Sequence, residues 1–279
     1  MKIAYLGPEG SYSHLAANAF LQDEVKGELG LSECIPFRNF SEVLEAVSMK
    51  RVDAAALPIE NSLQGGVLQA LDLLQNTSGL YAVKEKIVKI DHRLIYKEGV
   101  KLSQIGRIYS HRQALDQCAT FLRKECSFAS LREVESTGFG VAKAFEDETG
   151  KSAAIAGAHT THLQKGFVMS ERCIADEENN FTHFLLIKKG EDCLPKASGK
   201  IFFSTVCEHK PGSLLALLEI IKQFGVNMTK IESRPVKNVY GEYRFFIEAE
   251  CDISTKEVKD MLEKIRRSTI EYKLIGVYR

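Results

Sequence analysis

The 279-residue chain lacks net charge, because 37 lysines and arginines balance 37 aspartates and glutamates. No global field therefore draws it to nucleic acid or an anionic membrane, and a small anion would have to be held locally. Long apolar runs are missing too. The opening Met1-Lys2-Ile3-Ala4-Tyr5-Leu6-Gly7-Pro8 is too short an apolar run for a signal peptide, and nothing later approaches a membrane span, so a cytoplasmic protein is expected. The seven cysteines (Cys34, Cys118, Cys126, Cys173, Cys193, Cys207, Cys251) are odd in number and have no C-x-x-C spacing. That argues against a disulfide framework or zinc module and predicts reduced, mostly buried thiols. His159 and His162 are three apart without a Glu or Cys partner at a metal-motif spacing, so no metal is expected. The glycine-containing stretch 7–13 lacks the Gly-Lys-Ser/Thr ending of a phosphate loop.

What is present is 44% hydrophobic residue content, enough for a sizeable core and more than one domain. The apolar run Ala54-Ala55-Ala56-Leu57-Pro58-Ile59 opens abruptly into Glu60-Asn61-Ser62 and then Gly65-Gly66. A run without alternation fits a strand covered on both faces, and polar residues at its carboxyl end sit where open α/β sheets bind ligands. A strand followed by an ordinary cap and turn would read the same way. Strand and helix patterns alternate: strands at 2–6, 34–37 and 54–59, with helices at 13–21 and 41–50. This βαβ alternation predicts an open, largely parallel sheet. Residues 83–96 read as one long strand, followed by a strand at 107–109, helices at 113–124 and 140–146, and an apolar run at 153–156. The pattern predicts a first lobe over 1–79 and 167–190, joined by a returning strand at 182–188, and a second lobe over 80–166. Residues 191–199 read as a polar linker. Residues 200–279 follow the order βαββαβ of a ferredoxin-like unit, whose open face and edges call for cover by a second copy.

The motifs Gly7-Pro8-Glu9-Gly10-Ser11-Tyr12-Ser13, Pro58-Ile59-Glu60-Asn61-Ser62, Ser110-His111 with Gln113 and Gln117-Cys118, Ser136-Thr137, and Asn180-Phe181-Thr182-His183-Phe184 stand in order along the chain. Pro211-Gly212-Ser213-Leu214 and Glu232-Ser233-Arg234-Pro235 follow. In these motifs the chain resembles the prephenate dehydratases with a C-terminal ACT regulatory domain, over essentially its whole length. The resemblance implies an α/β fold, with a two-lobed, periplasmic-binding-protein-like catalytic unit followed by the ACT domain. It implies decarboxylative dehydration of prephenate to phenylpyruvate without cofactor or metal, inhibition by L-phenylalanine, and a homodimer through ACT domains that assembles to a homotetramer. Arogenate as substrate, or a non-catalytic two-lobed amino-acid sensor, remain alternatives.

The resemblance places the catalytic hydroxyl at Thr182, with Asn61 and Gln117 as neutral amides that donate to substrate oxygens without competing as bases. Ser11, Glu60, Ser62, Ser110, His111, Ser136, Thr137, His183 and Phe184 are expected around the substrate, Glu60 as an orienting group because a free carboxylate repels a dianion. Gly212, Ser213, Leu214, Asn227, Met228, Glu232 and Ser233 are expected at the effector. Two departures stand out. The family has Thr-Arg-Phe where this chain has Thr182-His183-Phe184, and Ser-His-Pro-Gln where it has Ser110-His111-Arg112-Gln113, so Arg112 or His183 is expected to take over part of the role of the missing arginine.

Overall fold

The buried alanines of residues 54–56 determine how closely helices can approach the first sheet. The protein is described here by a computed structural model covering residues 1–24, 32–160, 165–190, 198–237, 239 and 241–279. The first lobe opens with β1 (Lys2–Leu6), α1 (Tyr12–Glu24), β2 (Glu33–Phe37), α2 (Phe40–Ser48), β3 (Ala54–Asn61), the short β4 (Gly65–Gly66), α3 (Leu68–Asn76) and β5 (Leu80–Lys89). β1 lies between β2 and β3 and is parallel to both. Ala54 and Ala56 pack with Ala16, Ala17 and Phe20 of α1, whereas Ala55, Leu57 and Ile59 meet α2 and α3 through Val43, Val47 and Leu71. Burial on both faces is why this strand carries no polar alternation.

The second lobe contains β6 (His92–Lys97), β7 (Arg107–Ser110), α4 (Arg112–Gln117), α5 (Ala119–Glu125), β8 (Ser130–Glu133), α6 (Thr137–Phe145), β9 (Ser152–Gly157) and β10 (Phe167–Met169). Its strands form a separate sheet in the order β10-β6-β9-β7-β8. Gly140 lets α6 lie against β7, since a Cβ there would sit 2.8 Å from the Tyr109 carbonyl oxygen. β11 (Phe181–Lys189) then returns to the first sheet, antiparallel between β3 and β5. The strand expected over 83–96 is therefore two strands in two sheets, divided at Ile90-Asp91. The lobe boundary moves with it: β5 belongs to the first lobe and β10 to the second, against the expected limits of 80 and 166. The helix expected over 113–124 is broken at Cys118. Of the thiols, Cys118, Cys126 and Cys207 are buried while Cys34, Cys173 and Cys251 are half-buried, all free. Cys193 and His162 lie outside the described residues.

The C-terminal domain runs β12 (Ser198–Val206), α7 (Ser213–Gln223), β13 (Asn227–Pro235), β14 (Tyr243–Asp252), α8 (Lys256–Ser268) and β15 (Glu271–Tyr278), in antiparallel order β13-β14-β12-β15. The expected linker falls mostly on residues outside the description, and its last two positions already belong to β12. Both helices cover one face, where Leu217, Ile221, Met261 and Ile265 meet Phe203 and Ile247. The other face was expected to await a second copy. Instead Phe202, Phe246, Ile275 and Tyr278 share one core with Leu71, Leu74 and Leu185 of the first lobe. Each such side chain contributes about 1.5 to 3 kcal/mol by burial, so the docking is firm. One sheet edge is taken as well, because β15 runs parallel to β5 where Gly276 faces Ala82. A Cβ on Gly276 would lie 2.4 Å from the Ala82 carbonyl oxygen, so only glycine allows this approach. The edge strand β13 remains.

Candidate active site

The two lobes enclose a cavity of about 390 Å³. Thr182 and Asn61 face it from directly opposite positions in the β11/β3 ladder, and directly opposed residues share a sheet face. Asn61 is 7% exposed, and its amide is oriented by the backbone. Its Oδ1 accepts from the N–H groups of Leu63 at 3.1 Å and Gln64 at 3.2 Å. Its Nδ2 must therefore donate, and its two hydrogens are shared among Asn180 Oδ1 at 2.7 Å, Thr182 Oγ1 at 3.0 Å and the Phe181 carbonyl at 3.1 Å. Asn180 in turn gives its own Nδ2 hydrogen to Gln117 Oε1 at 3.2 Å. Each amide thus directs the next, from backbone to Gln117. The Thr182 oxygen accepts, and no bond among the described residues takes its hydroxyl hydrogen or the Gln117 NH₂ hydrogens.

Helix starts form the walls. Ser11 precedes α1, its Oγ accepting from His14 N–H at 3.2 Å and donating to the Leu6 carbonyl at 3.3 Å. His111 caps α4 by accepting the Gln113 N–H on Nδ1 at 3.3 Å, which puts its proton on Nε2. Ser136 caps α6 by accepting from Phe139 N–H at 3.1 Å. The positive ends of these helices and their free N–H groups suit carboxylates. The lobes are tied together where Gln113 Nε2 donates to Gln64 Oε1 at 2.9 Å, where His159 Nε2 lies 2.9 Å from the Gly10 carbonyl, and where Gly138 of α6 approaches the Glu9 carbonyl so closely that a Cβ would come to 2.9 Å. Tyr12 joins the cavity wall to the crossing between lobes, its hydroxyl accepting from Asp91 N–H at 3.0 Å, with burial pushing its pKa well up.

Of the residues that the motifs suggest, Thr182, Asn61, Gln117, Ser11, His111, Ser136, Thr137 and Phe184 line this cavity. Glu60, Ser62, Ser110 and His183 do not. Glu60 and His183 are paired with each other one step along the ladder, so the period of two turns both to the opposite face. There Glu60 lies 2.6 Å from Lys230 of β13, and His183 Nε2 lies 2.8 Å from Glu85 beside the Tyr278 ring. Ser62 stitches strand ends, accepting from Phe181 N–H at 2.9 Å and donating to the Asn179 carbonyl at 3.2 Å. Ser110 is fully buried and donates to the Ile155 carbonyl at 2.7 Å. Arg112 is exposed, 3.8 Å from Asp116, and outside the cavity wall. Neither it nor His183 replaces the family's arginine. Tyr12, Gln64, His92 and Asn180 line the cavity without having been singled out; Asn180 stood inside a motif, and His92 was hidden by the unbroken-strand reading.

The effector residues fall into separate places. Ser213 and Leu214 line a hollow of about 400 Å³ with Lys210, Tyr243 and Phe245. Gly212 caps α7 with φ +84° and no side-chain bond, and the Ser213 hydroxyl is buried without a partner among the described residues. Asn227 and Met228 line a different hollow of about 410 Å³ beside Gly225. Glu232 turns toward Gly66, and Ser233 is exposed on β13. One chain does not assemble them into one site.

Among the described residues Glu85, His183 and Glu248 present ligand atoms within 4.8 Å of one another. Lys200 Nζ already lies 2.9 Å from Glu85 and 3.5 Å from Glu248, so this group carries its own cation.

The model of the family described as "Prephenate dehydratase" matches residues 3–192, and that of the "ACT domain" matches residues 202–267. The bifunctional chorismate mutase/prephenate dehydratase of Aquifex aeolicus (strain VF5) is 33% identical over 280 residues, covering 100% of this chain and 73% of that protein. The structure of prephenate dehydratase from Arthrobacter aurescens in complex with L-Phe superposes with TM-score 0.85 at 30% identity, covering 100% of this chain and 90% of that one. The prephenate dehydratase from Staphylococcus aureus subsp. aureus Mu50 gives TM-score 0.84 at 28% identity, covering both chains in full.

Proposed function

This chain belongs to the prephenate dehydratase family and carries an ACT domain, and from that premise we propose how its cavity acts and is controlled. The activity is that of a carbon–oxygen lyase, turning prephenate into phenylpyruvate for phenylalanine biosynthesis. The bond from the ring to its carboxylate breaks, its electron pair enters the ring, and the hydroxyl on the opposite ring carbon leaves with one added proton. The products are phenylpyruvate, carbon dioxide and water. Aromatisation drives the step, so no cofactor is called for; the task is to protonate a poor leaving group while holding a dianion in place.

Thr182 supplies that proton. The observation that carries the reading is the direction of the Asn61 bond: Asn61 donates to Thr182 Oγ1 at 3.0 Å, which leaves the hydroxyl hydrogen for the departing oxygen. As negative charge builds on Oγ1, the same Asn61 N–H stabilises it without rearrangement. Gln117, with its NH₂ unspent, faces an anionic oxygen of the substrate, and the helix starts at Ser11, His111 and Ser136 with Thr137 receive the carboxylates.

Residues 1–190 form the catalytic unit and residues from 198 onward the regulatory domain. L-phenylalanine binds where α7 begins, with Gly212, Ser213 and Leu214 of one copy meeting Asn227, Met228 and the Glu232-Ser233 strand of another. Support comes from the separation of these half-sites on one chain and from the open β13 edge, on which Ile231 is exposed, as is Leu215 in the first turn of α7. The assembly is a homodimer through this domain, paired again to a homotetramer, in the cytoplasm. Arogenate and prephenate differ only in an amine against a keto group, and the test separates them. The purified chain is incubated with each, reading phenylpyruvate by its absorbance in alkali and phenylalanine by amino-acid analysis. Phenylpyruvate from prephenate, abolished in Thr182→Ala, is expected; product from neither compound would leave a non-catalytic sensor.

A further inference from the structure

His92 begins β6, directly after the chain crosses between lobes, and is 4% exposed in the cavity wall. Neither the proton transfer from Thr182 nor the binding of the carboxylates makes use of it. Its Nε2 lies 2.9 Å from Gln117 Oε1, the same oxygen that accepts from Asn180. Because the amide row is anchored on the backbone N–H groups of Leu63 and Gln64, that oxygen is an acceptor, and the His92 proton sits on Nε2. Nδ1 is buried without a hydrogen-bond partner among the described residues. Burial, with His159 adding to it, holds the imidazole pKa below its ordinary value against the pull of Gln117 and Asp91. A second N–H at Nδ1 would point at no acceptor, and the Tyr12 ring stands edge-on 5.8 Å away. Geometry and surroundings agree on a neutral ring with one fixed tautomer.

We infer that His92 is a positioning residue for the dehydratase reaction, its Nε2–H pinning Gln117 Oε1 so that the Gln117 NH₂ group is turned toward the substrate's anionic oxygens. Without this bond Gln117 is held through its oxygen only by the 3.2 Å contact from Asn180, and a flexible side chain can turn its amide over. The inference rests on the substrate-facing role proposed for Gln117.

Two measurements test it, both on the full chain. Nitrogen-15 NMR of histidine-labelled protein at neutral pH reads the tautomer directly, with no dependence on activity. The expected signal is neutral His92 protonated on Nε2; a Nδ1–H tautomer or an imidazolium overturns the inference. Kinetics then use side chains that mimic one ring nitrogen at a time. Glutamine places its amide nitrogen near Nε2 and asparagine near Nδ1, so His92→Gln keeps kcat/KM within about threefold while His92→Asn loses on the order of ten- to a hundredfold, the scale of a misplaced group. In a Gln117→Ala background the His92→Asn change costs nothing more. Equal losses in His92→Gln and His92→Asn, or a loss that adds fully to that of Gln117→Ala, overturn the inference alone. A kinetically silent Gln117→Ala overturns the role of Gln117 and this inference with it.

Discussion

The two faces of the β3/β11 ladder carry opposite kinds of polar chemistry. On the cavity face Asn61 and Thr182, joined by Asn180 and Gln117, are neutral groups linked in one direction by hydrogen bonds. On the other face Glu60 is paired with Lys230 and His183 lies against Glu85, and Lys200 bridges Glu85 to the buried Glu248, which accepts a hydrogen bond from Tyr278. The contrast follows from what each face must hold. Oriented dipoles stabilise developing charge at no cost in reorganisation and do not repel a dianion, and the carboxylate that does line the cavity, Glu135, is exposed and stands off this ladder. The opposite face meets another domain of the same chain, so its charges can be matched once and permanently. Neighbouring residues on one strand thereby face the cavity and the C-terminal domain separately.

The comparison can be broken most sharply from the cavity side. Asn61→Asp keeps the shape but cannot donate and adds a charge, so kcat/KM should fall on the order of a hundredfold or more while phenylalanine still binds by calorimetry. On the docking face, Lys200→Met leaves Glu248 without its cation. Stability in urea should drop by roughly 2 to 3 kcal/mol, less than the 3 to 5 for a fully buried pair because Lys200 keeps 20% exposure. The phenylalanine concentration for half-inhibition should rise about tenfold, with uninhibited turnover little changed. Asp72→Asn removes the pairing of Arg234 Nη2 at 3.0 Å and should cost about 0.5 to 1 kcal/mol, seen as a small shift in the same urea midpoint. The smallest effect concerns pH. Burial alone would raise the Glu85 carboxyl, but hydrogen bonds from His183 and Lys200 outweigh it and hold the pKa below 4.5. A depressed carboxyl lends stability that is complete above the unfolded value of about 4.5 and lost as pH falls through the lower folded value. Glu85→Gln should therefore flatten the acid limb of the stability profile; an unchanged limb would assign it to other carboxylates.

Much of this was legible in the sequence where local pattern decides structure. The unalternating run ending at Ile59 announced a doubly covered strand, and the βαββαβ order of the last domain followed from period and punctuation. Thr182, Asn61 and Gln117 were found by motif. Motifs, however, treat adjacent residues as one site, which is why His183 and Glu60 were grouped with Thr182 and Asn61. The period of two in a strand already forbids both members of such a pair from facing one cavity. The crossing at Ile90-Asp91 was hidden because apolar residues continue through it, from Val88 and Ile90 to Leu94. Docking of the C-terminal sheet was hidden for another reason: Phe202, Phe246 and Tyr278 are ordinary strand residues, and only the assembled fold shows that Leu71 and Leu185 complete their core. A cut at residue 190 consequently removes part of the first lobe's own core, so it does not yield a clean catalytic half.

The division of labour between faces is tested most directly by two neighbouring substitutions in the full chain, Thr182→Ala and His183→Ala, each assayed for turnover of prephenate and for inhibition by phenylalanine. Thr182→Ala should lose turnover by roughly a hundredfold or more, the scale of a missing general acid, and still bind phenylalanine. His183→Ala should keep turnover within about threefold, under about 1 kcal/mol of barrier, and lose much of its response to phenylalanine. A His183→Ala enzyme as crippled in turnover as Thr182→Ala, with inhibition intact, would contradict that division.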